Sequence, residues 1–335
     1  MQDLNRRRFF AGLLAGTALA GAAGINARAN RTQAVIVGGG PAGAAAALAL
    51  REAHPANPVL LVERDPRRLG PVEQASFDRP SAGPDLSTLR RAGVEVVLDD
   101  VMGLDWRAAR LNLFSGRRLA FDSLLLAPGT AALAEPIPGL DAVARHLWPA
   151  AWGNAREARR LRAQLAALPE DGHVVLRLPA ELSHPDAALG RAVQIATLLD
   201  RTRPDSRFTV LEAGMSSDLS QRFRRRLDAK GVRTRSEWRT GQTGGNVLRV
   251  DARNGMLETD GGLLRADVVN FVGLQGAGTI ARAAGLSDAS GWCPVDARGR
   301  SLIRPEAVIL GDARKDAKRH VADAVLSGRR VAAFT

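Results

Sequence analysis

One cysteine, Cys293, occurs in the 335-residue chain, inside SGWCPVD at positions 290–296, and a lone sulfur restricts the available chemistry. Thiol–disulfide exchange needs a leaving sulfur, so no disulfide can form within the chain. Cys293 is left with two roles: a thiolate activated by a neighbouring base, or an inert small hydrophobe. A second cluster of chemistry-bearing residues lies near the start. In QAVIVGGGPAGAAAALAL the glycines at 38, 40 and 43 form G-x-G-x-x-G. That spacing permits a tight turn, close approach of backbone to a pyrophosphate, and close packing of helix on strand.

The elements that must carry those glycines are legible around them. A β-type run at 34–37 leads into the turn, and an Ala-rich helix is expected over 41–50. Its free N–H groups and positive dipole suit phosphate. A second apolar run at 59–62 ends in Glu63, twenty residues after Gly43, where a carboxylate can accept from a pair of ribose hydroxyls. Strand, glycines, helix, strand and acid in that order point to a dinucleotide. The unit alone leaves FAD and NAD both open.

Length and composition suit two compact α/β domains with their own cores, since 45% of residues are hydrophobic and 24% charged. The net charge of +12 rests almost wholly on arginine, with Lys230, Lys315 and Lys318 the only lysines. Aromatics are 4% and tyrosine is absent, which argues against nucleic-acid binding, where basic stripes interleave with aromatics. No metal-ligand spacing stands out.

The first 29 residues read as an export signal. Arg6, Arg7 and Arg8 precede a weakly apolar stretch at 11–25, and Ala27-Arg28-Ala29 offers an A-x-A cleavage site, so the mature chain is expected to begin at Asn30. The paired arginines and low hydrophobicity resemble a twin-arginine signal, which implies a periplasmic protein exported folded. No transmembrane span is expected after its removal.

From 149 to about 273 the chain reads as a second α/β unit: helices over 155–167, 186–200 and 219–230, strands at 173–178 and 207–211, then hairpin-like strands up to Phe271. The turn after its first strand, within LRLPAELSHPDAALGRA, lacks a G-x-G, so no NAD(P) is expected. The run Arg224 to Arg226 reads as a solvated face.

Several segments then resemble one family. FDSLLLAPG (121–129) and EAVILGDA (306–313) are similar to the strands that leave and re-enter the FAD domain of two-dinucleotide-binding flavoproteins. With GGGPAG, LRRAGVEVVLDDVMGLD, LWPAAWGNAREARRLRAQL, RADVVNF and above all AGLSDASGWCPVDARGRS, the chain resembles the flavoprotein subunit of flavocytochrome c sulfide dehydrogenase, a relative of sulfide:quinone oxidoreductases. The resemblance implies two Rossmann-like three-layer domains of the FAD/NAD(P)-binding type. The FAD domain is expected to be discontinuous, 30–148 with 274–335, around a second domain at 149–273. It implies FAD held by Gly38, Gly40, Pro41, Ala42, Gly43, Glu63, Arg64, Val101, Ala127, Pro128, Gly129, Gly311 and Asp312, with Asp312 on the ribitol.

In that family two cysteines form a redox disulfide beside the flavin, and electrons taken from sulfide pass to a c-type cytochrome partner. Cys293 matches the second cysteine, and His184 falls where the first belongs. His184 and Cys293 are therefore the catalytic candidates. The stretch RDPRRLGPVEQASFDRP (64–80) holds no cysteine where some members link FAD covalently, so noncovalent FAD is expected. The family also continues beyond the point matching Thr335. Three readings stay open: an exported sulfide dehydrogenase-type FAD enzyme, an FAD oxidoreductase with a non-sulfide donor, and a noncatalytic paralogue that binds a cytochrome or sulfur carrier.

Overall fold

The computed structural model describes residues 32–70, 84–152, 155–214 and 218–333. The expected signal at 1–29 and most of the 64–80 stretch lie outside them.

The expected strand and helix at the glycines form as β1 (Ala34–Val37) and α1 (Pro41–Ala53), followed by β2 (Val59–Glu63), α2 (Leu86–Arg91) and β3 (Glu95–Leu98). An antiparallel set, β4 (Val101–Asp105), β5 (Arg110–Leu113) and β6 (Arg118–Ala120), precedes β7 (Ser123–Leu126) and the short β8 (Thr130–Ala132). Next come α3 (Ala142–Leu147), α4 (Ala155–Ala166), β9 (His173–Leu178), α5 (Pro185–Thr202), β10 (Arg207–Glu212), α6 (Leu219–Lys230) and β11 (Arg235–Arg239). The chain continues through β12 (Val247–Asp251), β13 (Met256–Thr259), β14 (Gly262–Arg265), β15 (Val268–Phe271), β16 (Gln275–Ala277), α7 (Thr279–Ala283), β17 (Ala307–Ile309) and α8 (Val321–Arg329).

Two parallel sheets result. The first has strand order β17-β7-β1-β2-β3 and the second β11-β10-β9-β15. Strand β17, from the far end of the sequence, pairs with β7, so the first sheet is discontinuous in the chain. Parallel strands covered on both faces read as unbroken apolar runs rather than alternating ones, which AVIV and VLLVE show. Along β1 the side chains alternate between two cores. Ala34 and Ile36 pack with α1, while Val35 and Val37 pack with residues of β5, β6 and α7. The second sheet is layered likewise, α4, α5 and α6 on one face and residues of β12 and β13 on the other.

Two polar side chains sit within the buried strand β9 and need partners. His173 bonds through Nδ1 to the Arg265 carbonyl at 2.8 Å and through Nε2 to the Thr209 hydroxyl at 2.9 Å. Burial and the nearby Arg207 hold its pKa below the ordinary histidine value, despite the bond to Arg265. Arg177 forms a two-pronged pair with Glu135, 3.0 and 2.6 Å, and also donates to the Val272 carbonyl. Glu135 follows β8, and its Oε1 accepts the Leu274 N–H at 2.7 Å. The pair thus ties both connections between the sheets, which run side by side as the antiparallel β8 and β16. No helix of the described residues is long and apolar enough to cross a membrane.

Truncating one partner of a buried ion pair strands the other charge, at a cost of roughly 3–5 kcal/mol. Arg177→Met should lower unfolding free energy by about that amount in urea titration. Arg177→Met combined with Glu135→Leu should recover most of the loss. A double variant as unstable as the single one contradicts this assignment.

Candidate functional site

The glycines of the β1–α1 turn divide by what a Cβ would meet. At Gly38, with φ of +103°, it would lie 2.3 Å from the Ala127 carbonyl oxygen, and at Gly43 only 1.9 Å from the Gly38 carbonyl oxygen. Only glycine fits either position. Gly40, the N-cap of α1, has φ of −66° and open space where a Cβ would go. That space is where a ligand's phosphates can approach the backbone, beside the free N–H groups of the 13-residue α1. Pro41 opens the helix and removes an N–H from its first turn, and Ala42 is buried.

Glu63 is buried at the end of β2, and its carboxylate spans the turn. Oε2 accepts the Gly39 N–H at 2.6 Å and Oε1 the Asp65 N–H at 2.9 Å. The acid therefore fixes the glycine loop itself, a role its spacing alone did not suggest. Arg64 is exposed and within 3.8 Å of Asp100. Val101 is buried at the start of β4, and the Asp99 N–H bonds to the Glu63 carbonyl at 3.1 Å, so Arg64 and Val101 both lie at the carboxyl ends of β2 and β3.

Ala127, Pro128 and Gly129 follow β7 at the same edge. The Ala127 N–H bonds to the Val37 carbonyl, and the Gly129 carbonyl accepts from Gly278. Gly311 and Asp312 follow β17. Gly311, φ +65°, lies against Ala42 of α1 and donates its N–H to Ser327 Oγ at 2.9 Å. All thirteen dinucleotide candidates thus gather along the carboxyl edge of the first sheet, where open α/β sheets place ligands. The donor set fits a dinucleotide: a Gly40 cradle that a Cβ would fill, a helix N-terminus and flanking carboxylates. FAD would be held by these residues. Among the described residues no group of three or more His, Cys, Asp or Glu side chains could hold a metal.

The two catalytic candidates are placed differently from one another. Cys293 has no exposed surface and packs in the core between the first sheet and α7, among Ala277, Ala281 and Ile309. Its N–H bonds to the Ala313 carbonyl, and its carbonyl accepts from Lys315. Burial pushes the thiol up to about 12, and the Asp288 charge adds to the effect. Asp288 is itself held down to about 2, first by the Lys315 ammonium and then by Ser290. The thiol is therefore protonated and closed off in this structure, where the family resemblance implies a sulfur facing the flavin. His184 has partners of its own. Its ring meets Ser183 at 2.6 Å, Trp152 at 3.4 Å and Asp312 at 4.0 Å.

Sequence reasoning missed the residues that hold this surrounding. Arg191 is fully buried in α5, donating to Asn270 Oδ1 and to the Ala151 carbonyl, both at 2.6 Å. Asn270 in turn donates to the Pro149 and Ala150 carbonyls at 2.9 and 2.7 Å. The one available signal was polarity inside apolar segments, an Arg in the helix and an Asn in VVNF.

Two outcomes follow from this geometry. Gly40→Ala should leave thermal stability within about 0.5 kcal/mol while weakening FAD binding more than tenfold, whereas Gly43→Ala should destabilise the fold itself. Calorimetry and flavin fluorescence check both. Cys293 should alkylate at pH 8 at least ~100-fold more slowly in the native than in the unfolded protein. An unfolded thiol ionises near 9 and the native one near 12, so stability contributed by Cys293 is present below pH 9 and is lost as pH rises toward 12.

Comparison with known proteins agrees with this architecture. Residues 32–172 match the family model for pyridine nucleotide-disulphide oxidoreductases. Residues 158–273 match the model for the central part of the sulfide dehydrogenase (flavocytochrome c) flavoprotein chain. A ferredoxin reductase from Rhodopseudomonas palustris is similar with a TM-score of 0.68 at 20% identity, over 91% of this chain and 76% of that one. Putidaredoxin reductase, in its covalent complex with putidaredoxin, gives 0.69 at 19% identity over 90% and 75%. An NAD-dependent persulfide reductase from A. fulgidus gives 0.66 at 19% identity, over 90% of this chain and 58% of that one. The chain has the FAD/NAD(P)-binding oxidoreductase fold, and the sequence matches cover its first dinucleotide-binding region and its central part separately.

Proposed function

We propose that the chain is an exported FAD-dependent oxidoreductase that takes electrons from a small donor and passes them, through noncovalently held FAD, to an acceptor such as a c-type cytochrome. The observation that carries the reading is the open space at Gly40 between two glycines that backbone contacts enforce, Gly38 and Gly43. Bound FAD would supply a two-electron acceptor able to release electrons one at a time. The chain's own residues would bind and orient it: the α1 N-terminus offers N–H groups to phosphates, Glu63 stiffens the glycine loop, and Asp312 offers a partly exposed carboxylate.

The match of 158–273 to the sulfide dehydrogenase central part supports a sulfur compound as one candidate donor. The single buried Cys293 supports a route that uses no protein disulfide, because one protonated thiol provides no leaving sulfur. The turn after β9 runs Pro179-Ala180-Glu181-Leu182-Ser183-His184 in place of a glycine fingerprint. That substitution supports a donor other than a nicotinamide dinucleotide, and the resemblance of the first 29 residues to a twin-arginine signal supports a periplasmic site of action. The enclosure of Cys293 also favours a second reading, a noncatalytic binder of a cytochrome or sulfur carrier.

Purified from Asn30 and incubated with FAD, the protein should show flavin absorbance. Anaerobic sulfide that bleaches the flavin equally in the parent and in Cys293→Ser identifies a sulfur donor that bypasses the thiol. A flavin that sulfide leaves unbleached in both assigns the donor to another class. Absence of flavin after reconstitution contradicts the proposal and leaves the noncatalytic reading.

A further inference from the structure

His184 stands where the two halves of the cleft meet. It is the N-cap residue of α5, at the carboxyl end of β9 in the second sheet, whereas Asp312 lies in the turn after β17 at the carboxyl end of the first. Their side chains, 10% and 31% exposed, face each other with His184 Nε2 4.0 Å from Asp312 Oδ2.

The proton on the imidazole can be assigned. Indole nitrogen only donates, so the Trp152 Nε1–H must give its hydrogen to His184 Nδ1. The Ser183 hydroxyl lies 2.6 Å from the same nitrogen. Nδ1 is therefore the acceptor, and the ring proton of the neutral imidazole sits on Nε2, toward Asp312.

The ring is also held from behind. Trp152 meets it edge-on, with ring centroids 5.7 Å apart. The backbone leading into Trp152 is pinned by Arg191 and Asn270, which bond the carbonyls of Pro149, Ala150 and Ala151. A series of contacts thus runs from β15 and α5 through Trp152 to His184, and ends on a carboxylate whose neighbour Gly311 touches Ala42 in the first turn of α1. Asp312 also feels the Arg319 charge. The other carboxylate close by in sequence, Asp186, is engaged by Arg222 and approached by His320 at 3.9 Å.

We propose that His184 is a positioning residue for the dinucleotide: its imidazole edge, 4.0 Å from the Asp312 carboxylate, limits where that carboxylate can turn, and through it the second sheet fixes cofactor bound on the first. This inference rests on the reading of the cleft as an FAD site.

FAD dissociation constants, measured by fluorescence titration, test it in the full mature chain. His184→Ala should weaken binding about tenfold, a change of roughly 1.4 kcal/mol. His184→Gln, which keeps a donor, should restore most of that. Asp312→Asn should weaken binding, and adding His184→Ala to it should bring little further loss, because the histidine acts through the aspartate. Melting of the apoprotein should be alike in parent and His184→Gln, so a general structural defect is separable. Unchanged affinity in His184→Ala, additive effects in the double variant, or no rescue by glutamine overturns the inference while leaving the proposed function standing. A parent protein that binds no FAD overturns both.

Discussion

Helix α1 is pressed against its surroundings at places that have no room for a Cβ, and the site depends on that closeness. Gly43 lies on the Gly38 carbonyl, Gly38 on the Ala127 carbonyl, and Gly328 of α8 on the Ala42 carbonyl. These contacts fix the helix N-terminus against the ends of β1 and β7 and bring the turn after β17 alongside. A methyl group at Gly38 or Gly43 would force the glycine turn away from the ends of β1 and β7, and one at Gly328 would force α8 off α1. Gly40, in the same turn, has space to spare, and the difference between crowded and open glycines is what marks a binding surface rather than a tight turn.

The second constraint is the crossing between the sheets. Glu135 and Arg177 join both connecting segments at one buried point, so the carboxyl ends of the sheets are held in a fixed relation. The cleft edge then receives Asp312 from one side and His184 from the other. A buried ion pair contributes little net stability over apolar packing, yet a missing partner is costly, which suits a junction that must keep one geometry.

Much of this was legible in the sequence. The strand at 34–37, the helix from Pro41, the strand at 173–178 and the helix at 219–230 formed at or near the expected positions, because strict glycine spacing, unbroken apolar runs and 3.6-residue periodicity are local signals. Helix α1 runs on to Ala53 because Arg51 suits its last turn and no breaker precedes Pro55. What stayed hidden depends on pairs far apart in the chain. Arg177 with Glu135 and Arg191 with Asn270 are read in sequence only as polar residues out of place. The setting of Cys293 was equally hidden. Its motif suggests a reactive sulfur, but the Ala313 and Lys315 backbone bonds draw it into the core, and burial keeps the thiol protonated.

The central claim is that the crowded and open glycines, with Glu63 and Asp312, hold FAD without a covalent link. Heat denaturation of the purified, FAD-incubated protein, with chromatographic identification of what enters the supernatant, tests it most directly. The account predicts about one FAD released per chain, the stoichiometry of a single glycine turn. Flavin that stays with the precipitated polypeptide contradicts the noncovalent mode, and a protein that takes up no FAD contradicts the account as a whole.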